Sequence, residues 1–291
     1  MALGVSGSSQ APRRLPRALV TIGLPLASLA LVVIFVLILF PYGRFRDIAI
    51  AELAQATGAS VSLDDLEGGI SVGGPCLVAT NLLLRWPDRQ ELLLERARMR
   101  PAWSLSWLWG EPAFHLDLTG PAGSIAGTVW RVPGLAFAGR ARGIQLSLLP
   151  LDRLADPLPV LGRLHAEIDL RTGPNGPTGE IRFESWDGSV ALPQLPFAFP
   201  FEEAHGELER SESGAVTVRE FELTGPMFEV DAEGTVAASR RLEQAALDLE
   251  VDLVVVDPAF REIVQPFGIR LDPQGAGQFR VTGTVSRPVL R

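Results

Sequence analysis

The sequence lacks lysine altogether: all 26 of its basic residues are arginine. This absence excludes the P-loop lysine, the Schiff-base lysine and the Ser-Lys dyad, because each of those sites requires an ε-amino group. Cys76 is the only cysteine, so no internal disulfide can form. The chain also contains no glycine loop set between a strand and a long helix. We therefore predict no catalytic residue and a protein that is not an enzyme.

Histidine is scarce as well, and His115, His165 and His205 each lie among charged residues. The spacing of Glu203 and Glu207 around His205 would place these three side chains on one face of a strand. Zinc sites, however, need three or four convergent ligands. We interpret the histidines as solvent-exposed residues and predict no metal site and no cofactor.

Positive charge is in deficit, with 26 basic against 34 acidic residues and a net charge of −8. The two signs are interspersed along the chain and form no basic stripe. Nucleic-acid binding needs such a stripe, so we do not expect nucleic acid as a partner.

One long hydrophobic run, residues 18–40, carries no charge. At about 1.5 Å per residue it would make a helix of roughly 35 Å, enough to cross a hydrocarbon core of about 30 Å. Arginines are more numerous before the run than after it, so the positive-inside rule predicts a cytoplasmic tail over residues 1–17. A cleaved signal peptide is the alternative, although its apolar region usually spans only about 7–15 residues. The residues expected to anchor the chain in the membrane are Leu19, Ile22, Leu26, Leu29, Val33, Val36, Leu39 and Tyr42.

An amphipathic helix next to the membrane is predicted over residues 41–58. Its apolar positions fall on one helical face, and Gly58 stands where a C-terminal cap is expected. The apolar positions are Phe45, Ile48, Ala49, Leu53 and Ala56.

From residue 59 the hydrophobic period changes from about 3.6 to 2, which predicts a mainly antiparallel β domain over residues 59–291 with a few short helices. Glycine and proline clusters predict turns over 68–75 and 173–177. A shift of the apolar phase between Val218 and Phe221 predicts a β-bulge. Leucines over 151–161 predict a helical turn, and Asp257-Pro258 predicts the start of a short helix.

The predicted helices are too few to cover the apolar face of such a sheet. Either the sheet closes into a barrel or sandwich without a ligand, or it forms an elongated, curved trough with an apolar lining. An exposed lining of that size would require a ligand or partner, and acyl chains are the obvious candidate for a membrane-anchored chain. The residues expected to line the groove are Leu116, Leu118, Leu164, Ile168, Leu170, Ile181, Phe183, Val230, Leu249, Val251, Leu253 and Val281.

The predicted helix ends with Ala56-Thr57-Gly58, a predicted strand runs from Val61 to Leu66, and Trp103-Ser104-Leu105 precedes Gly110-Glu111-Pro112. This order of segments resembles the opening of AsmA-type envelope proteins. The segment 279–288 resembles a strand ending that recurs in the same superfamily. Within it, the length and the single span are most similar to the type II secretion system protein N (GspN) family.

The resemblance implies a single-pass protein of the bacterial inner membrane with a periplasmic β domain. A member of the secretion family would act as an assembly or adaptor element that contacts the inner-membrane platform proteins and the outer-membrane secretin. A lipid module of AsmA type would instead bind or pass phospholipid along the apolar trough. The chain is too short to bridge a periplasm, even at roughly 3.3 Å per residue along strands that fold back on one another. We therefore expect an adaptor or a segment of a relay.

Overall fold

A computed structural model describes residues 31, 35, 42–71, 74–87, 90–102, 110–131, 134–149, 160–173, 176–191, 198–239, 244–258, 260–261 and 270–291. The chain divides into two compact units, Met1–Pro41 and Tyr42–Arg291. The predicted membrane span lies outside the described residues, apart from the helical Leu31 and Phe35. Within the described ranges, no helix has both the length and the hydrophobicity that crossing a membrane requires.

The second unit begins with a helix, α1 (Tyr42–Thr57), and continues with fourteen strands among the described residues. A 3₁₀ turn, Leu146–Leu148, follows the sixth strand. The strands are β1 (Ser60–Ser71), β2 (Gly74–Arg85), β3 (Glu91–Pro101), β4 (Ala113–Gly120), β5 (Gly123–Arg131), β6 (Leu135–Gln145), β7 (Val160–Gly173), β8 (Gly176–Ala191), β9 (Ala198–Arg210), β10 (Val216–Thr224), β11 (Phe228–Val236), β12 (Ala246–Val255), β13 (Ala276–Thr284) and β14 (Arg287–Leu290).

All fourteen strands belong to a single sheet in which spatial order follows chain order from β1 to β14. Every neighbouring pair is antiparallel. Within the described residues β1 and β14 do not pair with each other, so hydrogen bonding leaves the sheet open. The predicted mainly antiparallel β domain is confirmed.

Very short connections explain this strand order. Ser71 pairs with Gly74, Gly120 with Gly123 and Thr284 with Arg287, so each of these hairpins has a two-residue loop. Such loops can join only antiparallel neighbours. The predicted turn over 68–75 was too long, because β1 continues to Ser71 and β2 begins at Gly74. The predicted helical turn over 151–161 lies largely outside the described residues, but Leu161 belongs to strand β7.

The phase shift in β10 is a bulge, as predicted. Val218 pairs with Leu208 of β9, whereas Glu220 pairs with Glu207, so β10 carries one extra residue at this point. The same irregularity appears on the other side of β10, between Val218 and Glu222 in the pairing with β11.

Helix α1 ends at the predicted cap, since Gly58 has φ +64° and its N–H donates to the carbonyl of Ala54 at 2.9 Å. Its apolar residues are not oriented as in a simple amphipathic helix, which would pack its apolar face against the sheet. Ile50 packs against the first strands, but Phe45, Ile48 and Leu53 are exposed by 37%, 59% and 37%. Most of the predicted apolar face therefore points away from the sheet.

Three clusters of buried hydrophobic side chains form the core of the described residues. One near the beginning contains Trp86, and one in the middle contains Ala141, Ile144 and Ala166. The largest lies near the end of the chain and includes Phe260, a helical residue just after the predicted Asp257-Pro258 start. Its buried members are Phe199, Phe201, Ala204, Leu223, Phe228, Leu253, Val255 and Phe260.

Candidate functional site: the apolar face of the sheet

A continuous apolar row crosses all fourteen strands. In an antiparallel sheet, directly paired residues point to the same face, so the register identifies the members of the row. It contains no polar side chain. From β1 to β14 its members are Gly68, Leu77, Met99, Leu116, Gly127, Gly139, Ile168, Ile181, Leu208, Val218, Gly234, Leu249, Val281 and Leu290.

A second row runs parallel to the first; the two are separated by two residues in β1–β9 and by three in β10, where the bulge lies. It also lacks polar side chains and crosses the ten strands from β1 to β10. Its members are Leu66, Ala79, Ala97, Leu118, Ile125, Ala141, Ala166, Phe183, Gly206 and Phe221. The two rows together form a continuous apolar surface, and we call the whole face of the sheet on which they lie the apolar face.

The register places all twelve predicted lining residues on the apolar face. Five belong to the first row and two to the second. Leu164, Val230 and Leu253 belong to a third row of directly paired residues, which also contains Ser185 and Leu223. Val251 is opposite Phe279, and Leu170 is opposite Phe137. Val251 and Leu253 are buried, but the other ten side chains are only half-buried.

Glycines on the apolar face make room for phenylalanine rings. A Cβ on Gly139 would approach the Phe137 ring to 2.6 Å, and a Cβ on Gly206 would approach the Phe183 ring to 2.9 Å. The rings of Phe183 and Phe221 lie on either side of Gly206, with centroids 6.4 Å apart. Aromatic surface therefore replaces the side chains that the glycines lack.

The opposite face is charged, and several of its arginines contact glutamates on the neighbouring strand. Arg140 Nε lies 2.9 Å from Glu167, and Arg182 Nε lies 3.1 Å from Glu207. Arg219 Nη1 contacts Glu207 at 2.6 Å and its Nη2 contacts Glu209 at 2.6 Å. Hydrogen bonds from Arg219 and Arg182 hold the pKa of Glu207 below its ordinary value. This charged face is well suited to contact with water.

The three histidines lie on the charged face, as the alternation predicted. His115 Nδ1 is 2.8 Å from the hydroxyl of Thr128, and the ring of His165 packs edge-on against Trp186. His205 Nε2 lies 3.0 Å from a carboxylate oxygen of Glu222 on the next strand. Sequence spacing pointed to Glu203 and Glu207 as its neighbours, whereas the register adds Glu222, which spacing along one strand cannot reveal.

Of the predicted anchor residues, Tyr42 is the first residue of α1. The other seven lie outside the described residues: Leu19, Ile22, Leu26, Leu29, Val33, Val36 and Leu39.

Sequence reasoning missed several members of the apolar face, among them Met99, Leu208 and Phe137. Leu208 follows Ala204 and Gly206 at alternate positions, and this weak period of two was the only available signal. Strands β5 and β6 are rich in glycine and alanine, whose small side chains give little hydrophobic contrast. Their place in the face follows only from the pairing.

The fold and the two faces define a class: a single antiparallel sheet with one apolar and one charged surface. None of the family models, curated proteins or solved structures compared with this chain matches it.

Proposed function

We propose that the chain is a non-enzymatic envelope protein that binds phospholipid acyl chains on the apolar face of its sheet. The observation that carries this proposal is the row from Gly68 to Leu290, which crosses fourteen strands without a polar side chain. At a strand spacing of about 4.8 Å, thirteen steps give a path of roughly 60 Å along the sheet. Such a path is longer than one acyl chain.

The energetics favour reversible binding. Each methylene removed from water contributes about 0.8 kcal/mol, so contact over about eight methylenes would favour the bound state by roughly 6 kcal/mol relative to water. The same methylenes are already out of water in a bilayer, so exchange between bilayer and sheet is close to balanced. A half-buried apolar face supports passage of lipid better than tight storage.

In this proposal residues 18–40 span the bacterial inner membrane once, with residues 1–17 in the cytoplasm and the sheet in the periplasm. The bilayer would then supply lipid directly to an elongated, curved trough of AsmA type. The exposed Phe45, Ile48 and Leu53 of α1 support this arrangement, because they offer apolar surface close after the proposed span.

Mass spectrometry of the full chain, purified in a mild detergent, tests the proposal. We expect co-purifying phospholipid, and we expect Ile168→Asp to reduce it at least tenfold by placing a charge in the apolar row. Ala126→Asp is the matched control, since Ala126 is exposed and opposite Arg140 on the charged face. Circular dichroism verifies that both variants fold. Equal lipid in Ile168→Asp and Ala126→Asp would contradict the proposal.

A second candidate function is an adaptor or assembly element of the type II secretion system. Strand β14 favours it: among the described residues it is the last strand of the sheet, and all four of its residues are exposed, with Val289 at 48% and Leu290 at 40%. An exposed edge can accept a strand from a partner. Photo-crosslinking from Val289 should then capture platform proteins or the secretin, while crosslinking from the exposed Leu135 on β6 should not. Identical crosslinking patterns from the two positions would contradict this function.

A further inference from the structure

Three potential metal ligands converge on the charged face where β9 meets β10. They are His205, Glu220 and Glu222, and one ligand atom from each lies within 4.8 Å of the others. The imidazole of His205 and the carboxylate of Glu222 are already 3.0 Å apart. Their side chains are 38% and 44% exposed, so an ion from solution can reach them.

The bulge in β10 brings these groups together. Glu222 is directly opposite His205, and Glu220 is directly opposite Glu207. Both glutamates therefore point to the same face as the histidine. The extra residue of the bulge lies just before Glu220, and Arg219 turns its guanidinium to Glu207 and Glu209.

The surroundings carry unbalanced negative charge. The arginines next to the cluster, Arg182 and Arg219, are engaged by Glu207, Glu180 and Glu209. No arginine among the described residues forms an ion pair with Glu220 or Glu222. His205 and Glu220 line a concavity of about 730 Å³. Glu184, which is opposite His205 on β8, adds a further carboxylate to the same concavity.

We propose that His205, Glu220 and Glu222 bind a divalent transition-metal ion of the zinc class. An imidazole nitrogen with two carboxylates is a ligand set that suits zinc, whereas magnesium and calcium prefer oxygen ligands alone. Zinc–ligand bonds of about 2.0–2.2 Å put neighbouring ligand atoms about 3.4 Å apart, so the exposed Glu220 side chain would move inward to complete the site. Three protein ligands leave a coordination position open for water.

The bound ion would join β9 to β10 across the bulge. This site is on the charged face and is independent of the proposed lipid binding, which the same preparation can test separately.

The proposal is tested by isothermal titration calorimetry of the full chain with Zn²⁺ alone. Co²⁺ replaces Zn²⁺ in a parallel titration, because bound Co²⁺ can be detected by its visible absorption. We expect one ion per chain and visible absorption from bound Co²⁺. His205→Ala, Glu220→Gln and Glu222→Gln should each weaken Zn²⁺ binding at least tenfold. His165→Gln and Glu203→Gln are the matched controls, because both residues lie on the charged face near His205 but outside the ligand set.

Absence of Zn²⁺ binding at millimolar concentration would overturn the proposal. So would binding that persists in Glu220→Gln or Glu222→Gln, or that His165→Gln weakens equally. Circular dichroism establishes that each variant is folded. Competition by Ca²⁺ or Mg²⁺ at equal concentration would also overturn the assignment, since neither ion favours a histidine ligand.

Discussion

Phe228 tests whether the buried cluster near the end of the chain is a closed core, that is, a part of the apolar face from which solvent and ligand are excluded. Its ring packs against two others, with centroids 5.3 Å from Phe260 and 5.8 Å from Phe199. It is only 7% exposed. Truncation of a buried phenylalanine to alanine costs about 3–5 kcal/mol, of which each aromatic pair accounts for about 0.5–1.5 kcal/mol. We expect Phe228→Ala to lower the free energy of unfolding by about 4 kcal/mol.

Thermal unfolding followed by circular dichroism measures this loss. In a domain of 150–250 residues, each 1 kcal/mol lowers Tm by about 2–4 °C, so Phe228→Ala should lower it by roughly 8–16 °C. Phe228→Leu restores most of the volume and should lose less. Leu135→Ala is the control, because Leu135 is 59% exposed and surface changes are usually within about 0.5 kcal/mol. Equal shifts for Phe228→Ala and Leu135→Ala would refute the assignment of a closed core.

Two further predictions concern the cap of α1 and an ion pair between strands. Gly58→Ala should destabilise the end of α1 by about 1 kcal/mol, because φ of +64° is unfavourable for a residue with a Cβ; faster amide exchange in the last turn of the helix would report it, and unchanged exchange would contradict it. Arg280 donates two hydrogen bonds to Asp248, at 2.5 and 2.6 Å, and holds the pKa of that carboxyl below its ordinary value. A depressed folded-state pKa stabilises the fold above the unfolded-state value of about 3.9, and this contribution is lost as the pH falls through the folded value. Asp248→Asn should therefore reduce the loss of stability on acidification; an unchanged acid-unfolding midpoint would count against the pair.

The strands with strong alternation of large apolar and charged residues were predictable from the sequence. In β12, for example, Leu247, Leu249 and Val251 alternate with acids, and the pattern alone located the strand and its inward face. In β5 and β6, Gly127 and Gly139 belong to the first apolar row. Because glycine has no side chain, they do not contribute to a hydrophobic pattern in the sequence. Local alternation gives the face of each strand but not its pairing partner.

The candidate metal site could not be predicted from the sequence, because alternation within a strand does not reveal which residues of the neighbouring strand are opposite. His205 and Glu222 are on different strands, and only the register brings them opposite each other. Sequence spacing identified residues two positions away, such as Glu203, which share the face of His205 along one strand. The phase shift in β10 was visible in the sequence as a bulge, but its consequence for Glu220 depends on where β9 pairs.

The bulge links the two faces of the sheet. Val218 and Phe221 are three positions apart, and in a regular strand that odd spacing would put them on opposite faces. The extra residue of the bulge lets Val218 pair with Leu208 and Phe221 pair with Gly206, so both remain on the apolar face. Without it, one segment of β10 would turn its apolar side chains toward the charged face, since a shift of one residue exchanges the faces. The same extra residue sets Glu220 beside His205. A single irregularity thus keeps the apolar rows continuous on one side and brings three potential metal ligands together on the other.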